Sequence, residues 1–188
     1  LGFDIDIAKA LVKAAGAEIK LVSSDWDGII PSLMSRKYDC IIASLSITEE
    51  RKKKFAFTNK YYHTAARFVG RKGLIKDYSK SSIKGKSVGV LRATTHDTFL
   101  SDNYADDVTI KRYATWDEVY LEMISGRLDM FLADGIAASL GFLQKPNGKN
   151  FEFVGEALSD PKWFGDGVGI AVRKQDKDLV KVLNAAID

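Results

Sequence analysis

The chain has 188 residues, 46% hydrophobic and 28% charged: long enough for one large domain or two small ones, each with its own core, and ordinary in balance for a globular protein. Its net charge of +3 comes from 28 Lys and Arg against 25 Asp and Glu, too small an excess to indicate nucleic acid or an anionic membrane surface as a partner. The single cysteine, Cys40, excludes an internal disulfide or a cysteine-built metal cluster, and its apolar setting ("CIIASL") reads as an inert buried thiol.

In chain order, "FDIDIAKALVKAAG" carries apolar residues at helical spacing, with Gly16 as its stop, and "EIKLVSS" alternates as a strand. "WDGIIPSLMSR" predicts a helix, "YDCIIASLSI" a buried strand, "TEERKKKFAF" a short basic helix and "ARFVGRK" a strand. The polar "GLIKDYSKSSIKGK" reads as a connection. Beyond it come strand "SVGVL", a helix from about Thr95, strand "VTIKRY", helix "WDEVYLEMIS", strand "LDMFLAD" and helix "IAASLGFLQK". "FEFVGE" and "GVGIAVRK" are further strands, and "DKDLVKVLNAAI" closes the chain as an amphipathic helix. Helices alternating with apolar strands predict an α/β fold with mostly parallel sheets. The apolar runs are far short of a membrane span, and the abrupt opening at "LGFDIDIAKAL" without Met is expected of a processed or truncated product.

The chain also repeats itself. At an offset of 90, Trp26 matches Trp116, Asp27 matches Asp117, Ser35 matches Ser125, Asp39 matches Asp129 and Ala43 matches Ala133. Two copies at this spacing do not make a solenoid, but they fit two similar α/β lobes. Ligands of open α/β sheets bind beyond the carboxyl ends of strands, where the copies end in Ser44 and Asp134. A hydroxyl and a carboxylate facing one cleft suit an ammonium group. "SLSITEER" has Ser46 and Glu49 at capping-box spacing, so a helix start there would attract an anion, and Arg51 could grip a carboxylate. "VGVLRATTHD" adds another helix start, capped by Thr94 or Thr95. An α-amino acid is the simplest ligand that uses all these groups.

Bland readings stand beside these. Lys52 to Lys54 read as a solvated face, Trp116 as packing, and Asp39 and Asp129 as turn residues between helix and strand. Asp134 is also a natural N-cap for "GIAAS", which does not exclude ammonium binding. His63 and His96 lack metal-ligand spacing, "GDGVG" lacks the order of a dinucleotide loop, and no P-loop, G-x-S-x-G or nucleophile–base pair occurs. No cofactor or metal is expected.

The segments "GFDIDIAKAL", "DWDGIIPSL", "DCIIASLSITEERKKKFAFT", "KGKSVGVLRATTHDTF", "SGRLDMFLADGIAASLGFL" and "WFGDGVGIAVRK" together resemble the family 3 extracellular solute-binding proteins, in particular the lysine/arginine/ornithine- and histidine-binding proteins of ABC importers. The resemblance spans nearly the whole chain. It implies a type II periplasmic-binding-protein fold: lobe 1 from 1–63 plus 167–188, lobe 2 from 66–158, and hinge crossovers at 63–67 and 158–167, closing around the ligand. It further implies that Arg51 binds the ligand α-carboxylate with amides of Ser46 and Thr95, and that Asp134, Ser44 and the Ser46 hydroxyl hold the α-ammonium. Trp26 falls where the family packs an aromatic on the ligand side chain, with Leu91 and Thr94 on the opposite wall. His96 stands where close relatives often carry glutamine. Ala43 replaces a common serine but keeps a backbone carbonyl there. In the family a preceding strand and loop carry a second aromatic and often an acidic residue that selects basic side chains; that segment would lie before Leu1, and a further helix would follow Asp188.

The expected function is that of a non-enzymatic binding protein for a polar amino acid, with arginine, lysine, ornithine or histidine favoured, located in the periplasm or outside the cell as a membrane-anchored lipoprotein. Its expected partners are the free amino acid and a membrane ABC permease, with no nucleic acid, and it is expected to be a monomer. The alternatives are a cyclohexadienyl dehydratase-like enzyme, the sensor domain of a receptor, and an opine-binding protein.

Overall fold

A computed structural model of the protein describes residues 2–187 and divides the chain into two compact units, Leu1–His63 with Gly165–Asp188 (unit 1) and Thr64–Phe164 (unit 2). Unit 1 opens with α1 (Phe3–Ala14), α2 (Ile29–Met34), β1 (Cys40–Ile41), α3 (Glu49–Lys54) and β2 (Phe55–Phe57). Unit 2 is built from β3 (Ala66–Arg71), α4 (Lys80–Ile83), β4 (Ser87–Leu91), α5 (Thr95–Tyr104), β5 (Thr109–Tyr113), α6 (Trp116–Ile124), β6 (Met130–Asp134), α7 (Gly135–Ala138), β7 (Phe151–Leu158) and α8 (Pro161–Phe164). The chain then returns to unit 1 as β8 (Ala171–Arg173) and α9 (Lys177–Ile187).

In unit 1 the sheet order is β1-β8-β2, with both pairings antiparallel. Ile29 and Leu33 of α2 pack with Ile41, Leu45, Phe55 and Ala171, while Leu11 of α1 and Leu183 of α9 pack with Ile170 and Val172. Successive residues of β8 therefore serve opposite faces, as the period of a strand requires. Arg173, 4% exposed, ends this strand; it donates to the carbonyls of Leu33 and Tyr38 and pairs with Asp39 at 3.1 Å and Asp176 at 2.6 Å. Asp39 thus has the structural turn role expected of it.

Unit 2 holds a five-stranded sheet of order β5-β4-β6-β3-β7. β4 runs parallel to β5 and β6, whereas β3 is antiparallel to β6 and β7. Val88, Val90, Met130, Leu132 and Phe68 meet Phe99, Leu100 and Tyr104 on one face. Val69, Phe131 and Ala133 meet Val119, Met123, Ala138 and Phe142 on the other. A sheet covered on both faces needs continuous apolar strands, which explains runs such as "MFLA".

Several expectations are corrected. The sheets are mixed in unit 2 and antiparallel in unit 1, not mostly parallel. Residues 18–24 form no strand: the alternation of "EIKLVSS" is there, but among the described residues no ladder partner lies beside it, and Leu21 and Val22 are exposed. The buried run after Tyr38 is regular only over Cys40–Ile41, because the backbone turns at Ser44 (φ 52°). The helix expected over "IAASLGFLQK" is α7 followed by a π-helical turn at Ser139–Leu143. The polar connection contains the short α4.

The repeat is visible in detail. α2 and α6 are followed by Ser35 and Ser125, whose hydroxyls donate to Ser32 O (3.2 Å) and Glu122 O (3.1 Å). Next come Arg36 at φ 63° and Gly126 at φ 75°, and then Lys37 and Arg127, whose amides return to the same two carbonyls at 3.0 Å. Both copies therefore close with one Schellman motif.

Candidate functional site

In unit 1 the segment after β1 alternates. Leu45 and Ile47 are buried, while Ser44 is exposed and Ser46 half-buried. The stretch is pinned by a bridge between Ser46 and Val168 and by Ile47 N donating to Gly167 O at 2.8 Å. Gly165 (φ 77°) lies so close to Ile47 that a Cβ would come within 2.3 Å of its carbonyl oxygen, so a side chain there would displace this stretch. Ala43 and Trp26 are both half-buried against the cluster of Ile29, Leu33 and Leu45, and Trp26 opens the 3₁₀ turn Trp26–Gly28 ahead of α2.

The cap expected at Ser46 falls on Thr48. Ser46 is held extended by its bridge and α3 begins at Glu49, so the Arg51 amide donates to Thr48 Oγ1 at 3.2 Å. The Arg51 side chain folds back, and Nη1 donates to Ser46 O at 3.0 Å. Burial pushes its pKa down to about 10, with Glu50 acting in the opposite sense, so it remains cationic at neutral pH.

Ser44 takes up a left-handed backbone conformation, uncommon for a residue other than glycine. Its hydroxyl donates to Asp4 Oδ2 at 2.7 Å, and Tyr61 donates to Asp4 Oδ1 at 2.6 Å. Burial raises the Tyr61 pKa well above the ordinary phenol range, and the Asp4 hydrogen bond adds to the shift. Sequence reasoning did not single out Asp4 or Tyr61. Nothing in a helical pattern marks Asp4 as the residue that reaches Ser44, 40 positions on.

In unit 2, β4 and β6 are parallel neighbours, Val88 opposite Met130 and Gly89 opposite Phe131, so Leu91 and Asp134 emerge at the same end of the sheet. Leu91 is buried, and its carbonyl accepts from Thr94 Oγ1 at 2.7 Å. Thr94 is the cap of α5: Asp97 N donates to the same oxygen at 3.2 Å, so this hydroxyl is engaged within the turn. Thr95 and His96, both half-buried, form the first turn, and the His96 ring lies 5.7 Å from that of Phe164. Asp134 Oδ1 caps α7, accepting from Ile136 N at 2.9 Å and Ala137 N at 3.0 Å. This is the capping role weighed from sequence.

A further pair supports the turn. The Ala93 amide, at φ 60°, donates to Asp97 Oδ2 at 3.2 Å, while Arg112 Nε donates to Asp97 Oδ1 at 2.8 Å. The T-x-x-D spacing of Thr94 and Asp97 was a signal for it in the sequence. The other copy-related groups are structural: Asp129 accepts from the amide and hydroxyl of Ser87 at 2.8 and 2.9 Å, and Trp116 stacks on Tyr120.

Unit 1 thus gathers Trp26, Ala43, Ser44, Ser46 and Arg51 around one anchored segment, and unit 2 gathers Leu91, Thr94, Thr95, His96 and Asp134 at one end of its sheet. The first set offers a guanidinium and hydroxyl oxygens. The second offers a helix start and a carboxylate.

Known proteins share this framework. The chain is 45% identical over 188 residues to the L-arginine-binding protein of Pseudomonas aeruginosa, covering all of this chain and 73% of that protein. It is 41% identical over 188 residues to the lysine/arginine/ornithine-binding periplasmic protein of Escherichia coli K12, covering 72% of it. A solved periplasmic binding protein of Salmonella typhimurium, described for high arginine specificity, superposes with a TM-score of 0.91 at 34% identity, over all of this chain and 82% of that one. These likenesses place the α/β fold in the type II periplasmic-binding class. With its residues 1–188 matched by the model of the bacterial extracellular solute-binding proteins, family 3, the chain belongs to that family of binding proteins and not to a family of enzymes.

Proposed function

We propose that the chain is the periplasmic substrate-binding protein of an ABC importer and takes a basic L-amino acid, with arginine, lysine, ornithine and histidine as the candidates. It would act as a monomer and hand the free amino acid to a membrane permease. Residues 63–67 and 158–167 would serve as its hinge crossovers.

The observation that carries the reading is Arg51: a half-buried guanidinium, held by Ser46 O and disfavoured by burial, is a group that a ligand carboxylate would stabilise. Amides at Ser46 and Thr95 would assist it. Asp134 and the hydroxyls of Ser44 and Ser46 would take the α-ammonium, and Trp26 the aliphatic stem of the side chain. Leu91 and Thr94 would contribute as the wall and cap of the turn, with Ala43 offering its carbonyl and His96 its half-buried ring. The names of the relatives support the basic class of ligand. Charge-assisted hydrogen bonds contribute about 1.5–3 kcal/mol each. Roughly four of them, after ordering costs, reach the ~8.2 kcal/mol of a micromolar complex.

Calorimetric titration of the purified protein with arginine, lysine, ornithine, histidine and glutamate tests this. The expected result is micromolar or tighter binding of at least one basic amino acid and none of glutamate. Absence of heat with all four basic ligands, from a folded sample, would sink the proposal. Asp134→Asn keeps a capping oxygen while removing the charge, and is expected to abolish binding with the circular dichroism spectrum unchanged.

A further inference from the structure

The hydroxyl of Ser44 is not free to choose its hydrogen-bonding role. A carboxylate accepts and cannot donate, so at 2.7 Å from Asp4 Oδ2 the single Ser44 proton must point at Asp4. The second carboxylate oxygen is fixed by the Tyr61 hydroxyl, which donates to Asp4 Oδ1 at 2.6 Å. Tyr61 is itself held between rings, stacked on Phe3 at 6.4 Å and tilted against Tyr62 at 5.2 Å. The contacts form one relay: Tyr61 orients Asp4, and Asp4 orients the hydroxyl of Ser44, whose backbone is bent to φ 52°.

With its proton committed to Asp4, Ser44 has only lone pairs left for any other partner, and the residue is solvent-exposed. We propose that Asp4 is a positioning and specificity-determining residue, which polarises Ser44 into a pure acceptor so that it takes an ammonium group and discriminates against ligands lacking one. The proposal rests on the amino-acid-binding reading above. The carboxylate also strengthens Ser44 as an acceptor, because hydrogen bonds in a chain polarise one another. Asp4 does not itself touch the ligand.

The test compares L-arginine with 5-guanidinopentanoate, the same molecule without its α-ammonium, by titration of the parent protein and of Asp4→Asn. An asparagine amide can donate to Ser44 and turn its proton outward. Arginine affinity is then expected to fall roughly tenfold or more while that of 5-guanidinopentanoate stays level, so the ratio collapses by the same factor. In a Ser44→Ala background, Asp4→Asn is expected to change the ratio no further. Tyr61→Phe, which leaves Asp4 and Ser44 in place, should lower the ratio by a smaller factor and covers the case in which Asp4→Asn does not fold. A parent that binds arginine and an Asp4→Asn variant that keeps its ratio within twofold would overturn the inference alone. Equal losses for both ligands would also overturn it, by showing Asp4 to be merely structural. A parent that binds no amino acid would overturn the functional reading and this inference together.

Discussion

Part of the Arg51 guanidinium is committed to Ser46 O, and the rest sits where burial disfavours its charge. Its pKa of about 10 lies below the ordinary arginine value, so between the two the native state holds fewer protons than the unfolded chain, and the stability this residue contributes rises with pH across that window. At neutral pH, below both values, its charge is therefore a cost to the ligand-free fold. Arg51→Gln keeps a donor for Ser46 O and removes the charge. It is expected to leave the ligand-free melting temperature level or higher while lowering amino-acid affinity at least about tenfold. Scanning calorimetry beside titration checks this, and a variant melting well below the parent would make Arg51 chiefly a structural residue. Arg51 could be picked out from sequence because it falls one helical turn from a cap, although the cap is Thr48 and not Ser46. Asp4 could not, because its partners Ser44 and Tyr61 are 40 and 57 residues away.

Among elements, the repeat makes the clearest statement. Two helices end in the same Schellman motif, but its left-handed position is Gly126 in one copy and Arg36 in the other. A side chain in that conformation costs energy that glycine avoids, partly offset by the greater freedom of glycine in the unfolded chain. Arg36→Gly is thus expected to stabilise the protein by roughly 0.5–1 kcal/mol. A higher urea midpoint at unchanged slope would show it, and an unchanged or lower midpoint would mean that Arg36 makes a compensating contact. The same comparison explains what could be read in advance. Ser35 and Ser125 match in sequence because the local cap demands the same hydroxyl, and α6, expected as the helix "WDEVYLEMIS", is closed at its start by a Thr115–Glu118 capping box. Strand direction was not, since an apolar run is the same whether its neighbours are parallel or antiparallel once both faces are covered. Residues 18–24 were misread for a related reason: alternation shows that a segment can be a strand, but a ladder also needs a neighbour.

For the whole molecule, chain order and sheet order differ between the units. Unit 2 is one continuous segment, Thr64–Phe164, with a five-stranded sheet and apolar clusters on both faces. Unit 1 is assembled from two segments, and its central strand β8 arrives only after unit 2 has been traversed. Without the returning segment 165–188, β1 and β2 lose the one strand they pair with among the described residues, and the cluster of Leu11, Ile170, Val172 and Leu183 loses three of its four buried members. The excised segment 64–164 should therefore fold alone, whereas 1–63 alone should not, since burying too little apolar surface leaves chain entropy unopposed. Circular dichroism melts of the two fragments decide the matter. The expected result is a cooperative transition for 64–164 and a featureless slope for 1–63. If 64–164 melts without cooperativity, its two apolar clusters do not suffice for a native state, and the fold must be stabilised as a single unit across the whole chain.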